Sequence, residues 1–242
     1  MKIFITGSSD GIGQLTALKL IEMGHDVVLH ARNSDRKQNT LSAIPNAKEV
    51  LIGDLSSIEE TKKLASNVNK LGTFDAIIHN AGVNRTSDEL VFKVNCLAPY
   101  ILTCLIQKPK RLIYIGSGMH LHATPQLNNI SKGTDYSSSK LYLLMLSKAV
   151  ARKWPEVYSN TVNPGWVPTK MGGRSAPDDL QKGAETQAWL AISDDSSAKV
   201  SGKYFFHQKE VNYNKKADNI ELQDKFLEIC SQITGIEFPI EK

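Results

Sequence analysis

The chain has 242 residues, 41% of them apolar, with 29 lysines and arginines against 25 aspartates and glutamates for a net charge of +4. Such a length suits one large α/β domain with a full core, and no linker, internal repeat or low-complexity tract divides residues 1–242. The basic residues are dispersed rather than striped, which argues against a nucleic-acid partner, and apolar runs such as Leu97 to Ile106 fall far short of the roughly 20 residues of a membrane span.

In chain order, Ile3-Phe4-Ile5 predicts a strand over 2–6, and Ile12, Leu15, Leu18 and Ile21 recur at helical spacing, predicting a helix over 12–23. Between them stands Thr6-Gly-Ser-Ser-Asp-Gly-Ile-Gly13. Gly7, Gly11 and Gly13 leave room for backbone N–H groups to approach a pyrophosphate, and the helix N-terminus adds favourable partial charge. An ordinary strand-to-helix turn is the alternative for such a motif alone. His25 to Ala31 predicts a second strand over 26–31, which Arg32 follows. An NAD site places a carboxylate near this point for the ribose 2′-OH, whereas an arginine suits a 2′-phosphate. No Asp or Glu lies between Val27 and Ser34. The expected cofactor is therefore NADP(H) rather than NAD(H), with Arg32 on the 2′-phosphate, helped by Ser8, Ser9 or Arg36. Arg32 as a solvated loop charge is the plainer alternative, and Asp10 weighs slightly against tight phosphate binding.

Further strands are predicted over 48–53, 75–79, 110–116, 157–163 and 203–207. Helices are predicted over 33–43, 57–71, 88–107, 136–153, 178–193 and 218–234. This alternation gives βαβ units and a doubly wound parallel sheet, a Rossmann fold in a single domain over 1–242. Ligands of such sheets lie at the carboxyl ends of the strands. Thr6 to Gly13, Arg32, Asp54, Asn80-Ala81-Gly82, Ser117 and Asn163-Pro164-Gly165 all fall there.

Tyr136 and Lys140 stand four apart on a predicted helix and share one face. A neighbouring ammonium and an oxidised nicotinamide both favour the phenolate, so the pair can exchange a proton with a carbonyl or alcohol. Ser117 can hydrogen-bond the same oxygen, unless it is only a turn residue. Pro99 lacks the N–H that would pair with the Asn95 carbonyl, which leaves that carbonyl free to hold a water linking Lys140 to solvent; a simple kink is the alternative.

Together, Thr6-Gly-x-x-x-Gly-x-Gly13, Asn80-Ala-Gly82, Asn95, Ser117, Tyr136-x-x-x-Lys140 and Pro164-Gly165-x-Val167-x-Thr169 resemble the short-chain dehydrogenase/reductase family over nearly the whole chain. The resemblance implies a catalytic tetrad of Asn95, Ser117, Tyr136 and Lys140. It also places Gly7, Ser8, Ser9, Gly11, Ile12, Gly13, Arg32, Asp54, Leu55, Asn80, Ala81, Gly82, Tyr136, Lys140, Pro164, Gly165, Val167 and Thr169 against the cofactor. Among these, Asp54 and Leu55 meet the adenine, and Val167 and Thr169 the nicotinamide carboxamide. His79 departs from the family's Asn-Asn-Ala-Gly. The long Ser117 to Tyr136 interval, with Met119-His-Leu-His-Ala-Thr124, resembles retinol-dehydrogenase-like members.

Met119, Trp166 and Met171 are expected to line an apolar substrate pocket, with Trp166 as core packing the alternative. Gly172-Gly173 suggests a loosely closed pocket. His120 and His122 are candidate substrate contacts or, more plainly, exposed loop residues. Helix 136–153 carries Leu141-Tyr-Leu-Leu-Met-Leu146, apolar on nearly every side, which predicts a homodimer or homotetramer through it. No metal site is expected. Cys96, Cys104 and Cys230 are odd in number and lack metal spacing, which suits a reducing compartment, and no targeting segment is visible, so a cytoplasmic location is expected. The function expected is hydride transfer between NADP(H) and a small-molecule carbonyl or secondary alcohol. The alternatives are a non-catalytic NADP(H) sensor or scaffold and, more weakly, an epimerase or dehydratase.

Overall fold

A computed structural model describes residues 1–239. Seven parallel strands and one short antiparallel edge strand form a single sheet in the order β3-β2-β1-β4-β5-β6-β7-β8. They are β1 (Lys2–Ile5), β2 (Asp26–Ala31), β3 (Glu49–Ile52), β4 (Ala76–His79), β5 (Arg111–Ile115), β6 (Tyr158–Asn163), β7 (Tyr204–Phe206) and β8 (Lys209–Glu210). The central strands are buried on both faces, which is why their sequences run apolar without alternation, as in Ile3-Phe4-Ile5. The order reverses at β1 and β4, whose chains then cross to opposite sides of the sheet. The carboxyl ends of these two neighbours open the crevice that holds the site.

The helices are α1 (Gly11–Glu22), α2 (Ser34–Ala43), α3 (Ile58–Lys70), α4 (Asp88–Phe92), α5 (Ala98–Leu105), α6 (Tyr136–Lys153), α7 (Leu180–Ile192) and α8 (Ile220–Thr234). Local chemistry fixes their starts. The side chains of Asn33, Ser57, Asp135 and Asn219 accept from backbone N–H groups in the first turns of α2, α3, α6 and α8, and Gly235 closes α8 in a left-handed conformation.

Two expectations need correcting. The single helix over 88–107 is three pieces: α4, a π-helical turn over Lys93–Leu97, and α5. Pro99 cannot donate, and the N–H of Ala98 reaches back five residues to the carbonyl of Lys93, so the missing hydrogen bond becomes a wide turn. The second concerns α6. Leu141 to Leu146 are all buried, and the outward face is covered by α8 of the same chain, with Tyr142 and Phe226 stacked at 5.4 Å between ring centroids. The predicted homodimer or homotetramer through this helix therefore loses its physical argument, because the chain supplies its own cover. Short 3-10 turns over Gly118–His122, Leu127–Lys132 and Lys215–Asp218, and strand β8, went unforeseen. The β7–β8 turn uses His207 and Gln208 at positive φ, with no glycine to announce it.

Candidate active site

The carboxyl ends of the strands surround a cleft of about 1200 Å³. Its floor is shaped by missing side chains. A Cβ on Gly7 would lie 2.8 Å from the Cα of Ala81, and one on Gly13 would lie 2.3 Å from Asn80 Nδ2 and 2.6 Å from the Gly7 carbonyl oxygen. Gly7 and Gly11 also take positive φ, +61° and +57°. Asn80 locks this turn by donating through Nδ2 to the carbonyls of Thr6 and Gly7, both at 2.9 Å. The hydroxyl of Thr6 in turn accepts from the N–H groups of Asn80 and Ala81. The result is a bare cradle at the N-terminus of α1, which fits the pyrophosphate of a dinucleotide.

Gly7, Ser9, Gly11, Ile12, Gly13, Arg32, Asp54, Leu55, Asn80, Ala81, Gly82, Pro164, Gly165, Val167 and Thr169 line the cleft. Ser8 does not line it. Its hydroxyl donates to the Ile5 carbonyl and accepts from the N–H of His30, so it holds β1 to β2 and is unavailable to a 2′-phosphate. Arg32 is exposed at the rim, and Arg36 lines the cleft beside it. Asp10, the acidic residue that weighed against phosphate binding, is bridged at 2.9 Å to both Arg36 and Lys170. Burial alone would raise its carboxyl, but these two partners overcome that and hold it below the ordinary carboxylate range. Its charge is thereby largely neutralised locally. The Asp54 carboxylate is engaged by the N–H and hydroxyl of Ser56.

At the other end of the cleft, Ser117 follows β5 and Tyr136 opens α6. Burial raises the phenol of Tyr136, and a hydrogen bond with Ser117 partly offsets this. The expected lowering by Lys140 does not dominate here. Lys140 Nζ lies 5.4 Å from the Tyr136 ring centroid and donates to the Ile115 carbonyl at 2.7 Å. Tyr136 therefore carries its proton at neutral pH, the form that a general acid needs. Burial depresses Lys140 itself to about 8.

Asn95 sits in the π turn. Its side chain accepts from Val83 N–H, and donates to the Val83 carbonyl and to the Ser139 hydroxyl. A Cβ on Gly82 would meet Asn95 Oδ1 and Lys140 Nζ, each at 3.4 Å, so the two side chains flank the same backbone point. The structure thus gathers Asn95, Ser117, Tyr136 and Lys140 at one end of the cleft.

Met119, Trp166 and Met171 line that end, and all are exposed, Trp166 at 55%. Trp166 is therefore not core packing. Its segment is cross-braced: the Trp166 indole donates to the Gly172 carbonyl, Gly172 N–H donates to Thr169, and a Cβ on Gly172 would collide with the Val167 carbonyl. His120 corrects the expectation of an exposed loop residue or substrate contact. It is buried, bonded through Nδ1 to the Ser117 carbonyl and through Nε2 to Asn214 N–H, and packed on Tyr204. It shapes the turn behind Ser117 instead.

Val83, Arg85, Leu90, Val94, Lys170 and Phe206 also line the cleft, and no motif in the sequence marks them. His30 lines it as well. A histidine inside Val27-Val28-Leu29-His30-Ala31 was the available signal, because a polar side chain in a buried strand needs partners. Among the described residues no cluster of metal-ligating side chains occurs, and no helix is long and apolar enough to cross a membrane.

Comparison with known proteins identifies relatives of this chain. A family model described as short chain dehydrogenase matches residues 1–180. An uncharacterised oxidoreductase of Emericella nidulans is 46% identical, with 99% of each chain covered. Human retinol dehydrogenase 13 is 25% identical over 98% of this chain and 85% of its own length. Among solved structures, an uncharacterised protein of Mycobacterium paratuberculosis superposes with a TM-score of 0.84 at 20% identity, covering 98% and 94% of the two chains. The Pseudomonas aeruginosa RhlG–NADP complex gives a TM-score of 0.71 at 22% identity, covering 85% and 96%.

Proposed function

The chain belongs to the short-chain dehydrogenase/reductase family, and from that premise we propose that it is an NADP(H)-dependent oxidoreductase interconverting a carbonyl and a secondary alcohol. The observation that carries this reading is the grouping of Ser117, Tyr136 and Lys140 at one end of a cleft whose other end is a side-chain-free cradle. A bound nicotinamide dinucleotide would supply or accept the hydride. The chain's own residues do the rest. Ser117 and Tyr136 hold the substrate oxygen between their hydroxyls, and Tyr136 Oη gives its proton as negative charge develops there. Lys140 presents an ammonium to the ribose side of the cleft, and Asn95 braces the backbone at Val83 beside it. A water on the Asn95 carbonyl is the relay by which Lys140 and Tyr136 recover the proton from solvent.

The choice of NADP(H) over NAD(H) is supported by Arg32 and Arg36 at the rim and by the pairing of Asp10 with Arg36 and Lys170. Exposed Met119, Trp166 and Met171 favour a small molecule with an apolar body. Three buried cysteines that form no disulfide suit work in a reducing cytoplasm. Fluorescence titration with NADPH and NADH, followed by absorbance loss with a panel of apolar aldehydes and ketones, tests the reading. Tighter NADPH binding with turnover is expected; binding without turnover of any carbonyl would point to a sensor instead.

A further inference from the structure

We propose that His30 is a positioning residue of the cofactor cleft, whose neutral imidazole pins the glycine turn to the β3–α3 loop and so sets the spacing of the two walls around the adenosine half of a dinucleotide. The inference rests on the dinucleotide reading above. His30 sits near the end of β2, 3% exposed, with both ring nitrogens and its backbone N–H engaged. Nδ1 accepts from the N–H of Gly7 at 3.0 Å, and Nε2 donates to the carbonyl of Gly53 at 2.8 Å. Its own N–H donates to the Ser8 hydroxyl at 2.9 Å. Gly7 heads the cradle, and Gly53 directly precedes Asp54 and Leu55 on the opposite wall. One ring thus spans both walls from behind.

The two ring nitrogens have opposite roles, so only the tautomer with its proton on Nε2 satisfies them. A protonated ring has two donors and no acceptor, and it must release the Gly7 N–H. Asp54, from the β3–α3 loop, is the charged group that faces the ring and favours that protonated form. The glycine turn contributes only Gly7 and Ser8 to it, since Asp10 is committed to Arg36 and Lys170; on β3, Glu49 is paired with Lys37. Arg32 directly follows β2 and is exposed at the rim. Burial opposes protonation and holds His30 below its ordinary range, so the ring is neutral at pH 7.

The test is calorimetric titration of NADP⁺ into the wild type, His30→Gln and His30→Leu between pH 8 and pH 5. A glutamine amide can accept and donate in place of the two ring nitrogens without titrating, whereas leucine can do neither. At pH 8, His30→Gln is expected to bind within about threefold of the wild type, and His30→Leu about five- to thirtyfold more weakly, a factor of the size expected when buried hydrogen-bonding groups are left without partners. Once the ring protonates, the wild-type Kd is expected to rise relative to that of His30→Gln. Taking this ratio cancels the titration of the cofactor's own phosphates. Wild-type affinity in His30→Leu, or a ratio that stays constant through the pH at which the ¹⁵N spectrum shows the ring to protonate, overturns the inference. A second measurement needs no variant: in the wild type, the ¹⁵N spectrum of His30 is expected to show the Nε2–H tautomer, with the Gly7 amide shifting in step as the ring titrates. A Gly7 amide indifferent to that titration also overturns it. If none of the three proteins binds NADP⁺ or NAD⁺, the dinucleotide reading fails, and the Gly7 amide still decides whether the imidazole pins the turn.

Discussion

Along the cofactor side of the cleft, from the glycine turn to Asn80, backbone groups and absent side chains set the shape, whereas along the substrate side, from Met119 to Met171, exposed side chains set it. On the first side, an added Cβ at either of two glycines meets backbone: the Cα of Ala81 behind Gly7, the Gly7 carbonyl beside Gly13. On the second, Met119 is 50% and Met171 38% exposed on segments held by turns rather than by the sheet. The difference teaches that the walls which hold a common cofactor are fixed by excluded volume, while the walls which meet the substrate are free to vary without cost to the fold.

That contrast breaks most visibly at Gly13. Gly13→Ala is expected to lose about 3 kcal/mol of stability in urea unfolding, with cofactor affinity falling alongside, because the overpacked turn cannot relax. Unchanged stability would mean that the cradle is softer than its contacts imply.

A comparable effect is expected at Lys140, where the two sides meet. Its folded value of about 8 lies below the ordinary 10.5, so the folded chain releases this proton first, and between those values the unfolded chain binds more protons. Wild-type stability is therefore expected to rise with pH across that window by up to about 3 kcal/mol from this group. In Lys140→Met the rise from this source disappears, a difference that urea titrations at pH 7 and pH 10 would read directly.

Arg32→Ala sharpens the comparison at the rim. NADPH binding is expected to weaken by about ten- to a hundredfold, the range for a charged hydrogen bond, with NADH binding unchanged. The smallest effects belong to the substrate side. Trp166→Ala, Met119→Ala and Met171→Ala are each expected to leave stability within about 0.5 kcal/mol. Each should raise KM for apolar carbonyls by roughly tenfold or less, as for small losses of apolar contact.

The same contrast explains which features are legible in the amino-acid sequence. The strands and most helices followed from apolar periodicity, and the cradle, Asn80, Ser117, Tyr136 and Lys140 followed from glycines and polar residues at strand ends, because buried parallel strands and steric exclusion leave marks in local sequence. What escaped depends on distant partners. His120 is buried only because Asn214 and Tyr204 fold onto it from nearly a hundred residues away. The outer face of α6 is satisfied by α8 rather than by a second copy, which helical periodicity alone cannot distinguish. Pro99 announced a disturbed helix, but the π turn it produced, and the grip of the Asn95 side chain on Val83, arise from tertiary packing that no local pattern encodes. Ser8 showed the opposite failure: a polar residue in the right motif that faces the sheet.

The central claim is that Tyr136 moves the proton at a site whose binding walls do not depend on it. Its most direct test is a paired measurement on the wild type and Tyr136→Phe, with NADPH affinity by fluorescence and single-turnover reduction of an accepted ketone. Affinity is predicted to stay within about threefold while the reduction rate falls by about 10²- to 10⁴-fold, the range for loss of a general acid. A rate retained within a few-fold, with affinity intact, would contradict it.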